Sequence, residues 1–213
     1  MARQTSDKQQ PPAPRGADPT SERAAATLDL VLNTSTELFA ERGYAAATMR
    51  ELADRAQVPL STFYYYFRSK YDVLLAIMDT ALSRLERGAD DVWDDSLAPD
   101  AQLRALVDRH VRVHLVNPEA ARVADGELRA LQPSDREAIV ARRDRYERRF
   151  RDVLEAGRGN CFRDDLDVAV AGIAILTMST AVIDWWQPGG PHPVEHTAAL
   201  IGRFALDLAG AHD

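Results

Sequence analysis

The chain has 213 residues, 46% hydrophobic and 28% charged, the profile of a globular protein with room for one large or two modest domains. A single cysteine, Cys161, excludes an internal disulfide framework, and the polar N-terminus excludes a secretory signal, so a reducing, cytoplasmic setting is expected. The net charge of -7 argues against nucleic acid only as a sum, because the stretch 43–70 carries four basic residues (Arg50, Arg55, Arg68, Lys70) against two acidic ones (Glu51, Asp54).

Residues 1–19, with Pro11, Pro12, Pro14 and Pro19 and no apolar periodicity, read as a disordered tail; Arg3, Lys8 and Arg15 within it could touch a phosphate backbone. The first helix is expected from about Thr20 to Arg42, with Leu28, Val31, Leu32, Ser35, Leu38 and Phe39 as its buried stripe. Gly43 ends it. Thr48 to Glu51 has the form of a capping box and opens a short helix that stops near Ala56. Gln57 and Val58 make the turn, and Pro59 opens a second short helix. Phe63 and Phe67, four apart, pack inward, which leaves Ser61, Thr62, Tyr64 and Tyr65 facing out. Exposed tyrosines are costly without a partner. Their hydroxyls can donate to phosphates, and their rings can lie on sugars or thymine methyls in a major groove. Ser69 to Asp72 caps a further helix, expected to end by Gly88 and to be followed by an acidic, solvated connector around Trp93.

The stretch ELFAERGYAAATMRELADRAQVPLSTFYYYFRSKYDVL resembles the N-terminal DNA-binding domain of the TetR family of bacterial repressors. The resemblance rests on the Phe39–Tyr44 helix end, the Thr48 cap, and Phe63-Tyr64-x-Tyr66-Phe67-x-Ser69-Lys70. It implies a helix-turn-helix head, a long connecting helix, and a helical ligand-binding and dimerisation domain. It also implies phosphate contacts from Thr48 and Lys70, and base-reading positions at Leu60, Ser61, Thr62, Tyr64 and Tyr65. Three residues depart from the family pattern: Gln57 stands where a turn glycine is usual, Pro59 where a capping serine is, and Leu60 where a cation is common. The loss of that cation shifts the expected readout toward methyls, hydroxyls and DNA shape.

The second half begins with a helix over 101–116 whose inward stripe includes His110 and His114. Two histidines four apart suit either a hydrogen-bonded, pocket-lining pair or part of a metal site; no Cys or third ligand follows locally, so no metal and no cofactor is expected. A helix over 119–131 follows. Ser134 to Glu137 reads as a capping box for a long helix to about Ala156, with Ile139, Arg143, Tyr146, Phe150, Val153 and Leu154 on one stripe. Arg143 there is either an anchor for an anionic ligand or paired with Asp125 or Glu127. The segment 165–187 is apolar around its circumference, too short and interrupted to span a bilayer comfortably, and is expected to be buried in a homodimer with the last helix, about Val194 to Ala209.

The second half also resembles the TetR-family regulators of fatty-acid and steroid catabolism that respond to acyl-CoA thioesters. The likeness lies in the Arg-rich helix, the Phe162-Arg163 turn and the Trp185-Trp186 to Pro191 end. A ligand site lined by His110, His114, Arg143, Tyr146, Met178, Trp185 and Trp186 is expected.

The expected fold is therefore all-α with about nine helices: a tail over 1–19, a helix-turn-helix domain over 20–68, and a ligand-binding and dimerisation domain over 69–213. The expected function is a homodimeric, ligand-responsive regulator, a repressor on a palindromic double-stranded DNA operator, with a small-molecule effector such as a CoA thioester. The alternatives are the same architecture controlling efflux of hydrophobic compounds, or a helical dimer module that has lost DNA binding. No nucleophile elbow, P-loop or dinucleotide glycine pattern points to an enzyme.

Overall fold

In the computed structural model, residues 22–211 are described; the tail over 1–19 and its basic residues lie outside them. The described chain is all-α: α1 (Glu22–Arg42), α2 (Met49–Arg55), α3 (Leu60–Tyr66), α4 (Lys70–Val92), α5 (Pro99–Val116), α6 (Pro118–Gly126), α7 (Pro133–Gly157), α8 (Val168–Thr180), α9 (Val182–Trp185) and α10 (Val194–Ala209), with a 3-10 turn at Leu128–Ala130. The expected helix number holds, with the penultimate helix broken in two.

Two compact units form. One contains α1–α3, the start of α4 and residues 123–131; the other contains 80–122 and 132–211 of the described chain. The chain passes between them inside α4, inside α6 and at Leu131–Gln132.

In the first unit, Val31, Leu38 and Phe39 of α1 pack with Leu52, Ala53 and Phe63, all at most 3% exposed. Ser35 sits in this core because its hydroxyl donates to the Val31 carbonyl at 2.6 Å, one turn back. Gly43 closes α1 at φ 80, a conformation in which a Cβ would crowd its own carbonyl. Thr48 caps α2 reciprocally with Glu51, as expected. Gln57 adopts φ 54, the left-handed conformation that the usual turn glycine would hold without strain. A glycine relieves that strain but is more flexible unfolded, whereas a β-branched residue adds to it. Melting temperatures should rank Gln57→Gly above wild type and Gln57→Val below, by about 0.5 and at least about 1 kcal/mol respectively.

In the second unit α5 is central, packing on α10, α7 and α8. Its core stripe of Leu103, Leu106, Val107 and Val111 is at most 1% exposed and meets Phe150 and Leu154 of α7, Ile175 of α8 and Ala198 and Ala205 of α10.

Several sequence expectations are corrected. α4 runs on through Gly88 to Val92, because Gly88 is a point of close approach: a Cβ there would lie 3.0 Å from Arg109 Nε and 3.1 Å from Val113 Cγ2. Asp90 and Asp91 are therefore helical and not part of the connector; both stay exposed, and they pair with Arg149 (2.5 Å) and Arg109 (3.0 Å). The 119–131 helix breaks at Gly126. α7 opens at Pro133, so Ser134 lies inside the first turn and is not its cap. The 165–187 segment starts only after Asp167, whose carboxylate accepts from the Val170 N–H at 3.1 Å, and breaks at Ala181. In the single chain Val170 and Ile173 of this segment are 61% and 57% exposed, which does not bear against its expected burial in a homodimer. By length and composition alone, 168–185 could cross a membrane, the one such stretch among the described residues.

Candidate DNA-reading and effector sites

α3 is a seven-residue helix with Pro59 at its N-cap, one position earlier than expected and without a side-chain cap bond. Such a helix is not stable alone. It is held by Phe63 and Phe67, whose rings lie 6.2 Å apart and are buried. This pins the opposite face outward: Leu60, Tyr64 and Tyr65 are 40%, 49% and 46% exposed, Ser61 is exposed and Thr62 half-buried. Tyr66 is the exception in the tyrosine run. It is half-buried, edge-on to Tyr65 at 5.2 Å, with its hydroxyl directed at the Ala24 carbonyl at 3.4 Å.

The two residues expected on phosphates are occupied differently. Lys70 Nζ donates to the carbonyls of Tyr44 (2.7 Å), Ala45 (3.0 Å) and Ala47 (2.7 Å), which uses all three of its protons. These bonds hold the 44–47 turn beside the start of α2. The Thr48 hydroxyl donates to Glu51 Oε2 at 2.8 Å, and this bond, with that from the Thr48 N–H, holds the Glu51 carboxyl below its ordinary range. Arg42 and Arg55 pair with acids of the same unit: Arg42 with Glu51, and Arg55 with Glu41. Arg50 and Arg68 are exposed and enter none of these pairs. They are the cations a sequence reading undervalued, because nothing local distinguishes them from Arg42 or Arg55.

Of the expected effector residues, the structure brings three together. His110 Nδ1 lies 2.9 Å from Tyr146 Oη, and its Nε2 lies 3.1 Å from Thr180 Oγ1. His114 stacks on His110 at 4.2 Å and bonds the His110 carbonyl through Nδ1 at 3.0 Å. Burial, then the neighbouring His114, pushes the His110 pKa well below the ordinary value, so the imidazole is neutral; burial raises the Tyr146 phenol. Both His110 nitrogens are thus engaged by hydroxyls. Thr180 was missed as a site residue because in sequence it merely interrupts an apolar run. Met178 is half-buried against the same core, and Arg143 is half-buried on α7. Trp185 and Trp186 line a separate hollow of about 130 Å³ with Gln187, Gly190, Pro191 and His192, and the Trp186 indole N–H donates to the His192 carbonyl at 2.8 Å. Trp185 is 52% exposed.

A capped short helix, a tight turn and a second short helix with an outward polar and aromatic face define a helix-turn-helix DNA-binding protein. The family model for bacterial regulatory proteins of the tetR family matches residues 31–77, and that for the tetracyclin repressor-like C-terminal domain matches 96–209, more than half of the chain. The chain belongs to the tetR family of bacterial regulatory proteins and is a DNA-binding transcriptional regulator.

Among its relatives is the HTH-type transcriptional repressor KstR2 of Rhodococcus jostii (strain RHA1), 29% identical over 203 residues that cover 94% of this chain and 99% of that protein. A tetR-family regulatory protein from Rhodococcus RHA1 has a similar structure, with a TM-score of 0.81 and 27% identity over 91% of this chain and all of that one. AibR, solved with isovaleryl coenzyme A and operator DNA, shares the fold at a TM-score of 0.72 and 24% identity, covering 85% of this chain and 97% of that one.

Proposed function

We propose that the protein is a homodimeric repressor that binds a palindromic operator through α3 and is released by an acyl-CoA thioester. The observation that carries the DNA half is the outward Tyr64–Tyr65 face of α3, held by buried Phe63. Arg50 and Arg68 supply phosphate contacts, and Thr48 and Lys70 add theirs by each exchanging one bond within the head for one to a phosphate. Ser61, Thr62 and Leu60 join the tyrosines in reading base edges and methyls. In a dimer, two such helices about 34–36 Å apart reach successive major grooves, which makes the operator an imperfect palindrome. The exposed apolar residues Val170 and Ile173 of α8 and Phe204 of α10 are the surface a second copy would cover. A regulator of chromosomal DNA works in the cytoplasm.

For the effector, the reading rests on an apolar core that holds one hydroxyl-imidazole cluster, His110–Tyr146–Thr180, suited to orient a carbonyl or hydroxyl. Arginines along α7, Arg143 among them, suit the phosphates of a CoA moiety. AibR binds isovaleryl coenzyme A, a thioester, and KstR2 of Mycobacterium tuberculosis is a ketosteroid regulator, which fits an apolar group held in such a core. Release requires the effector to favour a state that binds the operator less well, and its differential affinity sets the size of the effect. α4, which belongs to both units, is the element through which we expect that bias to act.

The test is a thermal-shift comparison of free acids with their CoA thioesters. A thioester at a hundred times its dissociation constant should stabilise the protein by about 2.7 kcal/mol, and the free acid much less. Equal shifts from acid and thioester, or none from a panel of steroid, branched and straight-chain thioesters, would rule out this effector class.

A further inference from the structure

The turn between α1 and α2 is held from two sides. Lys70 takes the carbonyls of Tyr44, Ala45 and Ala47, and its ammonium lies 4.5 Å from the Tyr44 ring centroid. The Tyr44 ring meets Phe39 edge-on at 5.4 Å. The Tyr44 N–H points the other way and donates to Glu127 Oε1 at 3.0 Å. Glu127 is 83 residues further along the chain, just past α6, in a segment that packs with the DNA-reading unit although its sequence neighbours on both sides do not.

We propose that Glu127 is a positioning residue for operator reading, supplied by the C-terminal half of the chain: it fixes the Tyr44 amide and, with Lys70, the turn that presents Thr48 and α2 to DNA. The inference rests on the DNA-binding role of α2 and α3. α2 has seven residues and cannot set its own place by helix cooperativity. Its entry is set by the cap at Thr48 and by the turn before it. In that turn, a cation on the carbonyls and a carboxylate on the amide grip one peptide segment from opposite ends. Bonds to a charged partner are about twice as strong as neutral ones. Water could accept from the Tyr44 N–H equally well but would not fix its direction. The Glu127 carboxylate therefore adds geometry to the head and not only solubility to the surface.

The experiment uses the full-length protein and duplex DNA that the wild type selects from a random pool. In Glu127→Ala, the Tyr44 amide should exchange with deuterium faster by about tenfold or more, and affinity for the selected duplex should fall about tenfold. Glu127→Gln keeps a carbonyl oxygen in place and should retain most of both; this rescue distinguishes positioning from a general effect of charge. Should the alanine variant not fold, Glu127→Asp, whose oxygen falls short, should behave as the loss variant beside Glu127→Gln. Wild-type affinity or wild-type Tyr44 exchange in the loss variant overturns the proposal. If the wild type selects no duplex at all, the DNA-binding reading fails, and Tyr44 exchange alone then decides whether Glu127 positions the turn.

Discussion

Replacing Tyr64 and Tyr65 together with alanine lowers operator affinity about a hundredfold, taking roughly 1.4 kcal/mol for each lost side-chain contact. The fold tolerates the change. Both rings are about half exposed, α3 is anchored by Phe63 and Phe67 on its other face, and alanine is the better helix former. Anisotropy titration of the selected duplex measures the loss, while an unchanged melting temperature and gel-filtration volume show that fold and assembly persist. The salt dependence gives a second readout. Tyrosines carry no charge, so the double variant keeps the slope of log affinity against log salt. Arg50→Ala or Arg68→Ala should reduce that slope by about one each. A double variant that binds as tightly as wild type would remove α3 as the reading helix.

Phe150→Ala destabilises the protein by about 3–5 kcal/mol, the cost of deleting a fully buried ring and leaving a cavity. The side chain is 0% exposed and sits where α5 and α7 meet beside the His110–Tyr146 pair: its ring is edge-on to His110 at 6.1 Å and 5.5 Å from Tyr146. Total stability of domains is only 5–15 kcal/mol, so the melting temperature should drop by on the order of 10 °C. Phe150→Leu, which keeps most of the volume, should lose less than half as much. Thermal denaturation checks both. A small shift in the alanine variant would mean that the second unit collapses around the void.

The sequence by itself determined the elements whose signals are local. α10 runs from Val194 to Ala209, as its apolar spacing predicts, and Gly210 closes it at φ 72. The Thr48–Glu51 capping box is present because both partners lie within one turn. The i, i+4 pair Phe63 and Phe67 faces inward, and that alone fixes which tyrosines look out. Even the departure at Gln57 carried structural information, since a turn that favours glycine holds its substitute at positive φ.

Only the tertiary structure decided matters that depend on distant partners. Gly88 reads as a helix end, yet α4 continues because α5 needs the space its missing side chain leaves. Asp90 and Asp91 read as part of a connector, yet both lie in α4 and each meets an arginine from another helix. For Lys70 the sequence offers only its position in the motif; the fold adds three carbonyls brought to its ammonium from 23 to 26 residues away. Thr180 reads as an interruption and becomes the partner of His110. Glu127 has no local signal, since the amide it holds is 83 residues away in the chain. Periodicity and caps are properties of neighbours in sequence. The donors and acceptors that settle a charged side chain's role are neighbours only in space.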